Sequence, residues 1–404
     1  MATEPGAGPA PLRGVRVLDL TNVLAGPFAC HQLAHLGAEV IKVEAVEGGD
    51  LARNLGADPA LSERGMGISF LAQNAGKHSL TLNLKTDRGK EVLRRLVAGA
   101  DVLVENFRPG VMARLELDHE VLRAVNPRLI YCAISGFGQT GPWAGRPAYD
   151  QIVQGLSGVM SVTGDAQSAP LRAGFPLADT VGGLTAAMAI CAALNADPRG
   201  CFIDVSMLES VLATMGWVVS NHLVGGSVPE PQGNENPTSA PSGSFRCADG
   251  LINIAANRDV QWQALARHLG RDDLLAHPDY ATREDRKRNR VALRAALEEV
   301  LVTRPAGHWA DELNALGVPA GEVLSVPEVL SHPQVAGRDL LSRFEAVPGV
   351  GRAVDLVRIG AMIDGQRGAV DRPPPVLGAD SAAVLADLGY DRDEIARMRA
   401  EGVI

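Results

Sequence analysis

The sequence predicts an α/β chain. It has a Rossmann-like large domain built on a doubly wound parallel sheet, and a smaller α+β domain. Three observations carry this expectation. Strand-like and helical apolar runs alternate through the first half. A chain of 404 residues exceeds one ordinary core. The texture then changes after Gly225, where Val228 to Gly243 is rich in Pro, Gly, Ser and Asn. The expected division is a disordered arm over 1–10, a large domain over 11–224, a small domain over 225–330, and a return to the large domain over 331–404.

Gly14 to Leu20 reads as a buried strand. Pro27 to Leu36 has helical spacing and stops at Gly37, and Ala38 to Glu44 is a second strand. Parallel strands need such a crossover. Glu44 imitates the ribose-binding acid of a dinucleotide fold, but the turn Leu24-Ala25-Gly26-Pro27 lacks G-x-G-x-x-G, which argues against a nicotinamide site. Gly76 to Leu84 alternates like a strand, and Thr86 to Ala98 is a helix with its apolar stripe at Val92, Leu93, Leu96 and Val97. Asp101 to Asn106 and Leu129 to Ser135 are further strands. The loops after them hold Asn106, Arg108 and Gly136, and a doubly wound sheet places ligands at such carboxyl ends. Helices are expected over Tyr149–Met160, Thr180–Asn195 and Met207–Val218. In the small domain, Gly250–Ala255 reads as a strand, with helices over 262–269, 290–302 and 308–316. Another helix follows Pro373-Pro374-Pro375, over Ser381–Leu388.

Composition excludes several classes. With 46% hydrophobic and 21% charged residues, the chain is globular and not disordered. A net charge of −9 without a basic block gives no basis for a nucleic-acid partner. Five cysteines without C-x-x-C spacing point away from disulfides and zinc, towards a cytoplasmic location. No run of 18 apolar residues is evident, so no membrane partner is expected. The nine histidines form no H-E-x-x-H, and no metal is expected. Four of the five lysines precede residue 91, a hint of an anion site in that half.

Asp179 sits where a loop turns into an apolar helix, with small neighbours at Gly174, Ala178, Gly182 and Gly183. Such neighbours let another molecule approach a carboxylate. Two readings stand: a helix N-cap only, or a nucleophile kept ionised by the helix terminus.

Six segments, taken in order, resemble the class III coenzyme A transferases, and the likeness covers nearly the whole chain. They are Pro11 to Thr21 with Ala25-Gly26-Pro27; Leu36 to Glu44; Val104-Glu105-Asn106-Phe107-Arg108-Pro109-Gly110; Ser135 to Pro142; Tyr149-Asp150 ahead of Gln154 and Gly158; and Pro373 to Gly378. The resemblance implies transfer of CoA from an acyl-CoA, with succinyl-CoA as the expected donor, to a small carboxylic or dicarboxylic acid. It places Asp179 on the family's catalytic aspartate and Tyr149 beside the reacting centre. Val23, Lys77, Asn106, Val111 and Arg114 fall to the coenzyme, and Asn22, Arg53, Arg108 and Gly136 to the substrate. Coenzyme A enters as co-substrate, and two chains are expected to interlock as a homodimer, with Val228 to Gly243 suited to the crossing.

The sequence departs from formyl-CoA transferase at Leu24, Ala45 and Pro147, which replace a glutamine, an arginine and a lysine. Asn234 to Gly243 replaces the glycine-only loop. The alternatives are an α-methylacyl-CoA racemase of the same superfamily and a non-catalytic acyl-CoA-binding protein. The family's racemases use a histidine at the position of Tyr149.

Overall fold

The computed structural model describes residues 9–404. Residues 1–8 of the expected arm lie outside the described residues. Ala10, which the sequence placed in that arm, is half-buried, and its carbonyl accepts a bond from the Arg13 N–H at 3.0 Å.

Two compact units are present: 160–171 with 227–335, and the remainder. The segment 160–171 thus clusters with the smaller unit, although the sequence placed it in the larger one.

The larger unit is built on six parallel strands: β1 (Arg16–Asp19), β2 (Glu39–Glu44), β3 (Lys77–Thr81), β4 (Val102–Glu105), β5 (Ile130–Ser135) and β6 (Cys201–Ser206). Their order is β3-β2-β1-β4-β5-β6, so the winding direction reverses between β1 and β4. The first five strands answer to the five apolar runs. The sixth was not anticipated: it is an edge strand whose outer residues Phe202 and Asp204 are exposed, so it shows no continuous apolar run.

Side-chain alternation sends each strand's residues to two cores. One holds Leu18, Ile41 and Leu103 under α2 (Asp87–Ala98), with Val92, Leu93, Leu96 and Val97 turned inward. The other holds Val17, Val40 and Val104 under α1 (Ala25–His35) and α4 (Leu177–Leu194). Between these two helices in sequence lies the short helix α3 (Asp150–Leu156), and α5 (Met207–Thr214) and α6 (Gly216–Gly225) follow α4. Among the described residues α4 is the one helix long and apolar enough to cross a membrane, where the sequence suggested none. It packs against α1, α3, α5, β5 and β6.

The smaller unit has a three-stranded antiparallel sheet, β7 (Ser242–Arg246), β8 (Leu251–Ala255) and β9 (Ala320–Glu322). Its own core gathers Phe245, Ile252, Trp262, Leu297, Trp309 and Leu313. After residue 336 the chain returns to the large unit, where Asp380 accepts the Ser79 N–H at 2.9 Å.

A buried ionic network fastens β1, β2 and β3. The Lys77 ammonium donates to Asp19 Oδ2 at 2.8 Å, to the Pro27 carbonyl at 2.9 Å and to Asn74 Oδ1 at 2.8 Å. Lys42 lies 2.8 Å from Asp50 and 3.9 Å from Asp19. All four side chains are wholly buried. Burial alone would push the Asp19 carboxyl up, but Lys42, Lys77 and Thr21 hold it down at about 2. These two are among the four lysines behind the sequence's hint of an anion site; both are spent on internal acids.

Removing one member of a buried pair strands the other, which costs about 3–5 kcal/mol. Asp19→Asn and Lys77→Met should each lower stability by about that amount in thermal or urea unfolding. A loss below about 1 kcal/mol would show that the network is not a structural pin.

Candidate active site

The crevice at the winding reversal is closed by two asparagines. The Asn22 N–H donates to Asn106 Oδ1 at 2.8 Å, and Asn106 Nδ2 donates to the Asn22 carbonyl at 2.8 Å. Val23 follows with φ 67°, a left-handed conformation that β-branched residues avoid. Its N–H is held by Asp50 Oδ1 at 2.9 Å, and Asn22 Oδ1 accepts from Leu51 N at 2.7 Å.

Beyond the strand ends opens a cleft of ≈ 760 Å³. Asn22, Val111 and Arg114 line it, together with Ala45, Leu82 to Lys85 and Phe107. The walls are mostly apolar, and two cations reach it, Lys85 and Arg114. Neither has an ion-pair partner among the described residues. Sequence reasoning counted Lys85 among the lysines hinting at an anion site but assigned it no role in the site.

Two predicted ligands are corrected. Lys77 is wholly buried with three bonds to protein groups, so it has no face towards a coenzyme. Arg53 is also buried: it grips Glu44 through Nε and Nη2, both at 2.7 Å, and its guanidinium lies 3.7 Å from the centre of the Phe70 ring. A side chain so engaged cannot also take a substrate carboxylate. Glu44, in turn, is occupied by Arg53 and Ser79. Arg108 is exposed on the loop after β4. Gly136 packs where a Cβ would come within 2.3 Å of the Ala148 Cβ, and its carbonyl accepts the Leu208 N–H at 3.0 Å.

Asp179 lies in the first turn of α4 and is not its N-cap, because the helix begins at Leu177 after Pro176. The capping acceptor comes from α3. Asp150 Oδ1 accepts from the Ala178 N–H at 2.7 Å and from the Asp179 N–H at 3.4 Å. Tyr149, just before it, is 65% exposed. One turn along α4 from Asp179, on the same face, Gly183 lies against the first turn of α1. A Cβ there would meet the Ala25 carbonyl oxygen at 2.6 Å. The first turn of α1 begins three residues after Asn22, which lines the cleft, so α4 abuts the helix that leads away from the cleft wall.

Burial, and then the charge of Asp150, push the Asp179 carboxyl up to about 7. The expectation of a carboxylate fully ionised at neutrality is corrected accordingly. Burial likewise raises Glu105, at the end of β4, to about 7, against the pull of its bond from the Phe107 N–H. A carboxyl whose acidity is shifted by burial and a neighbouring charge is a candidate functional group, and an open cleft with a few polar groups is a candidate ligand site.

The raised acidity constant has a sign. Native Asp179 keeps a proton that the unfolded chain releases above about 3.8, so its contribution to stability falls as pH rises towards 7. Asp179→Asn should therefore raise the melting temperature by a few degrees at pH ~8 and leave it unchanged near pH ~3.5. A gain of equal size at both pH values would contradict the shift.

The model of CoA-transferase family III matches residues 12–381. The acetyl-CoA:oxalate CoA-transferase of Acetobacter aceti is 40% identical over 88% of this chain and 91% of that protein. The succinate–glutarate CoA-transferase of Agrobacterium fabrum is 40% identical over 94% and 96%. Among solved structures, a CAIB/BAIF family protein from Brucella suis superposes with a TM-score of 0.82 at 35% identity, covering 94% of this chain and 100% of that one. With its parallel sheet, its cleft at the winding reversal and a shared sequence over nearly its full length, the chain belongs to CoA-transferase family III.

Proposed function

We propose that this enzyme transfers CoA from succinyl-CoA to a small dicarboxylic acid through a covalent intermediate on Asp179. The observation that carries the reading is the place of Asp179: a half-buried carboxyl in the first turn of α4, with Asp150 against its N–H and, one turn on, Gly183 against the first turn of α1. The names of relatives, which include oxalate and glutarate transferases, support an acid with two carboxylates.

Each step balances. The Asp179 carboxylate adds to the thioester carbonyl; a C–O bond forms, the C–S bond breaks and CoA thiolate leaves, giving a mixed anhydride. The thiolate attacks the aspartyl carbonyl, giving aspartyl-CoA thioester and the free donor acid. The acceptor carboxylate displaces thiolate to form a second anhydride. Thiolate then takes the acceptor's carbonyl and restores Asp179. Orientation supplies the rate: effective molarities of order 10⁵ M or more are available to a fixed nucleophile.

Val23, Asn106, Val111 and Arg114 serve the coenzyme in this reading, joined by Lys85 and by Asn22, which the resemblance assigned to the substrate but which lines the same cleft as Val111 and Arg114. Gly136 and Arg108 border the acceptor, and Tyr149 flanks the reacting centre. Arg172 is a further exposed cation, seven residues before Asp179, for the acceptor's second carboxylate. A homodimer accounts for the exposed apolar residues of α4 (Leu184, Met188) and α6 (Trp217, Leu223, Val224), since α6 has no buried residue. A cytoplasmic location fits the free cysteines. Racemisation needs an acid and a base near neutral pH on opposite faces of the α-carbon. Position 149 holds a tyrosine, where the family's racemases have the histidine that performs such proton transfer.

Asp179→Ala should lower transfer by about 10³-fold or more and abolish hydroxylamine-sensitive labelling by acyl-CoA. Near wild-type turnover in that variant would sink the assignment. Screening free acids against succinyl-CoA by mass should place dicarboxylates above monocarboxylates. Deuterium entering the α-position of a 2-methylacyl-CoA at a catalytic rate would favour the racemase. Sedimentation should give twice the chain mass; a monodisperse monomer at micromolar concentration contradicts the dimer.

A further inference from the structure

Asn83 stands just past the end of β3, at the turn that leads into α2, and lines the cleft together with Leu82, Leu84, Lys85 and Gly402. Its N–H donates to the Val403 carbonyl at 2.8 Å, and its Nδ2 donates to the Gly402 carbonyl at 3.3 Å. Its Oδ1 accepts the Lys85 N–H at 3.1 Å, the local turn for which asparagine is suited. Its own carbonyl accepts from Thr86 Oγ1 at 2.9 Å, and Thr86 Oγ1 accepts the Gly89 N–H at 3.1 Å as the N-cap of α2. The far anchor is itself fixed. Gly402, at φ 68°, follows the helix Arg392–Ala400, and Val403 and Ile404 are buried in the core that holds Leu82. One amide thus joins the backbone of Lys85 to a segment that cannot drift.

We propose that Asn83 is a positioning residue for coenzyme binding: it ties the root of Lys85 to the buried segment at Gly402 and Val403, and so holds that lysine at the mouth of the cleft. Lys85 is exposed, and its ammonium sits on a flexible four-carbon stem. Freedom at the root of such a stem adds to the freedom lost when the ammonium meets a phosphate. The Asn83 oxygen removes that freedom before the ligand arrives. Its amide nitrogen serves the same end from the other side, since Gly402 also lines the cleft. Arg114, the other cation of the cleft, is carried by a different element, the helix Val111–Arg114 after β4. The tie at Asn83 therefore acts on one of the two cations and leaves the other alone.

The inference rests on the cleft as the coenzyme site, and its test tells the two apart. CoA is titrated calorimetrically into the full chain and its variants at low salt. Lys85→Met should weaken binding by ~10-fold, the loss of one charge-assisted contact. Asn83→Ala should weaken it by ~5-fold and raise KM for acyl-CoA without a matching fall in kcat. The two losses should not add: in a Lys85→Met background, Asn83→Ala should cost less than about 1.5-fold. In an Arg114→Met background it should still cost ~5-fold. Asn83→Ser, too short for Gly402 but able to accept the Lys85 N–H, should recover most of the affinity. The salt dependence of CoA binding should flatten in Asn83→Ala as it does in Lys85→Met. A general loosening of the fold would instead weaken binding equally in the native, Lys85→Met and Arg114→Met backgrounds, and that result overturns the proposal. Native affinity in Asn83→Ala, beside weakened binding in Lys85→Met, overturns it too. Native affinity in both Lys85→Met and Arg114→Met overturns the cleft as the coenzyme site, and the positioning role falls with it.

Discussion

The buried contact between Asp19 and its two lysines is the constraint on which the larger unit turns. Asp19 ends the central strand β1, Lys42 lies on β2 and Lys77 opens β3. Lys77 also donates to the carbonyl of Pro27, so the first turn of α1 is fixed to the sheet by the same ammonium. Lys42 reaches the Thr21 carbonyl at 2.9 Å and holds Asp50. Asp50 in turn holds the N–H of Val23. The strained backbone at Val23 costs about 1–3 kcal/mol and persists because its neighbours over-determine it. A single ion cluster therefore sets both the sheet register and the lip of the cleft.

The second constraint is the pairing of Asp150 with Asp179. A helix start ordinarily favours a nearby carboxylate, and α4 has one, but it belongs to α3. Asp150 takes the free N–H groups, and Asp179 is left buried with a like charge beside it. Two acids of one type thus acquire different places from their surroundings: Asp150 caps the helix, and Asp179 stands in its first turn without a donor to its carboxyl among the described residues. The arrangement costs the folded chain stability as pH rises from about 3.8 to about 7.

Much of this was legible in the sequence. Five strands announced themselves as apolar runs between turn residues, and the small residues around Asp179 marked the helix start. What stayed hidden shares one cause: the meaning of a polar residue depends on a partner distant in the chain. Lys77 and Arg53 look like anion ligands until Asp19 and Glu44 are found against them, 58 and 9 residues away. Asp150 and Gln154 show only a helical i, i+4 spacing; their bonds run to residues 173 to 179. Asp179 itself read as a cap because nothing local reveals that another carboxylate has taken the cap's bonds. The edge strand β6 escaped because one of its faces is wet, so it lacks the run that marks its buried neighbours.

These buried pairs also decide what the cleft offers a polyanion. Its walls include Glu44, Glu47 and Asp50, an unpromising set for binding phosphates. Glu44 is already neutralised by Arg53, and Asp50 by Lys42. Burial and then its hydrogen bond from Arg53 oppose each other at Glu44, and the net effect holds its carboxyl below the usual range, so the pair stays ionic. The potential at the mouth is therefore left to exposed groups, Lys85 and Arg114 against Glu47. Ala45 lines the same wall, where the formyl-CoA transferases have a coenzyme-binding arginine. With that arginine gone, Lys85 and Arg114 are the remaining cations of the wall, one at the end of β3 and one on the helix after β4. The buried lysines and Arg53 thus shape the cleft indirectly: by cancelling the acids behind the wall, they let two surface cations set its sign.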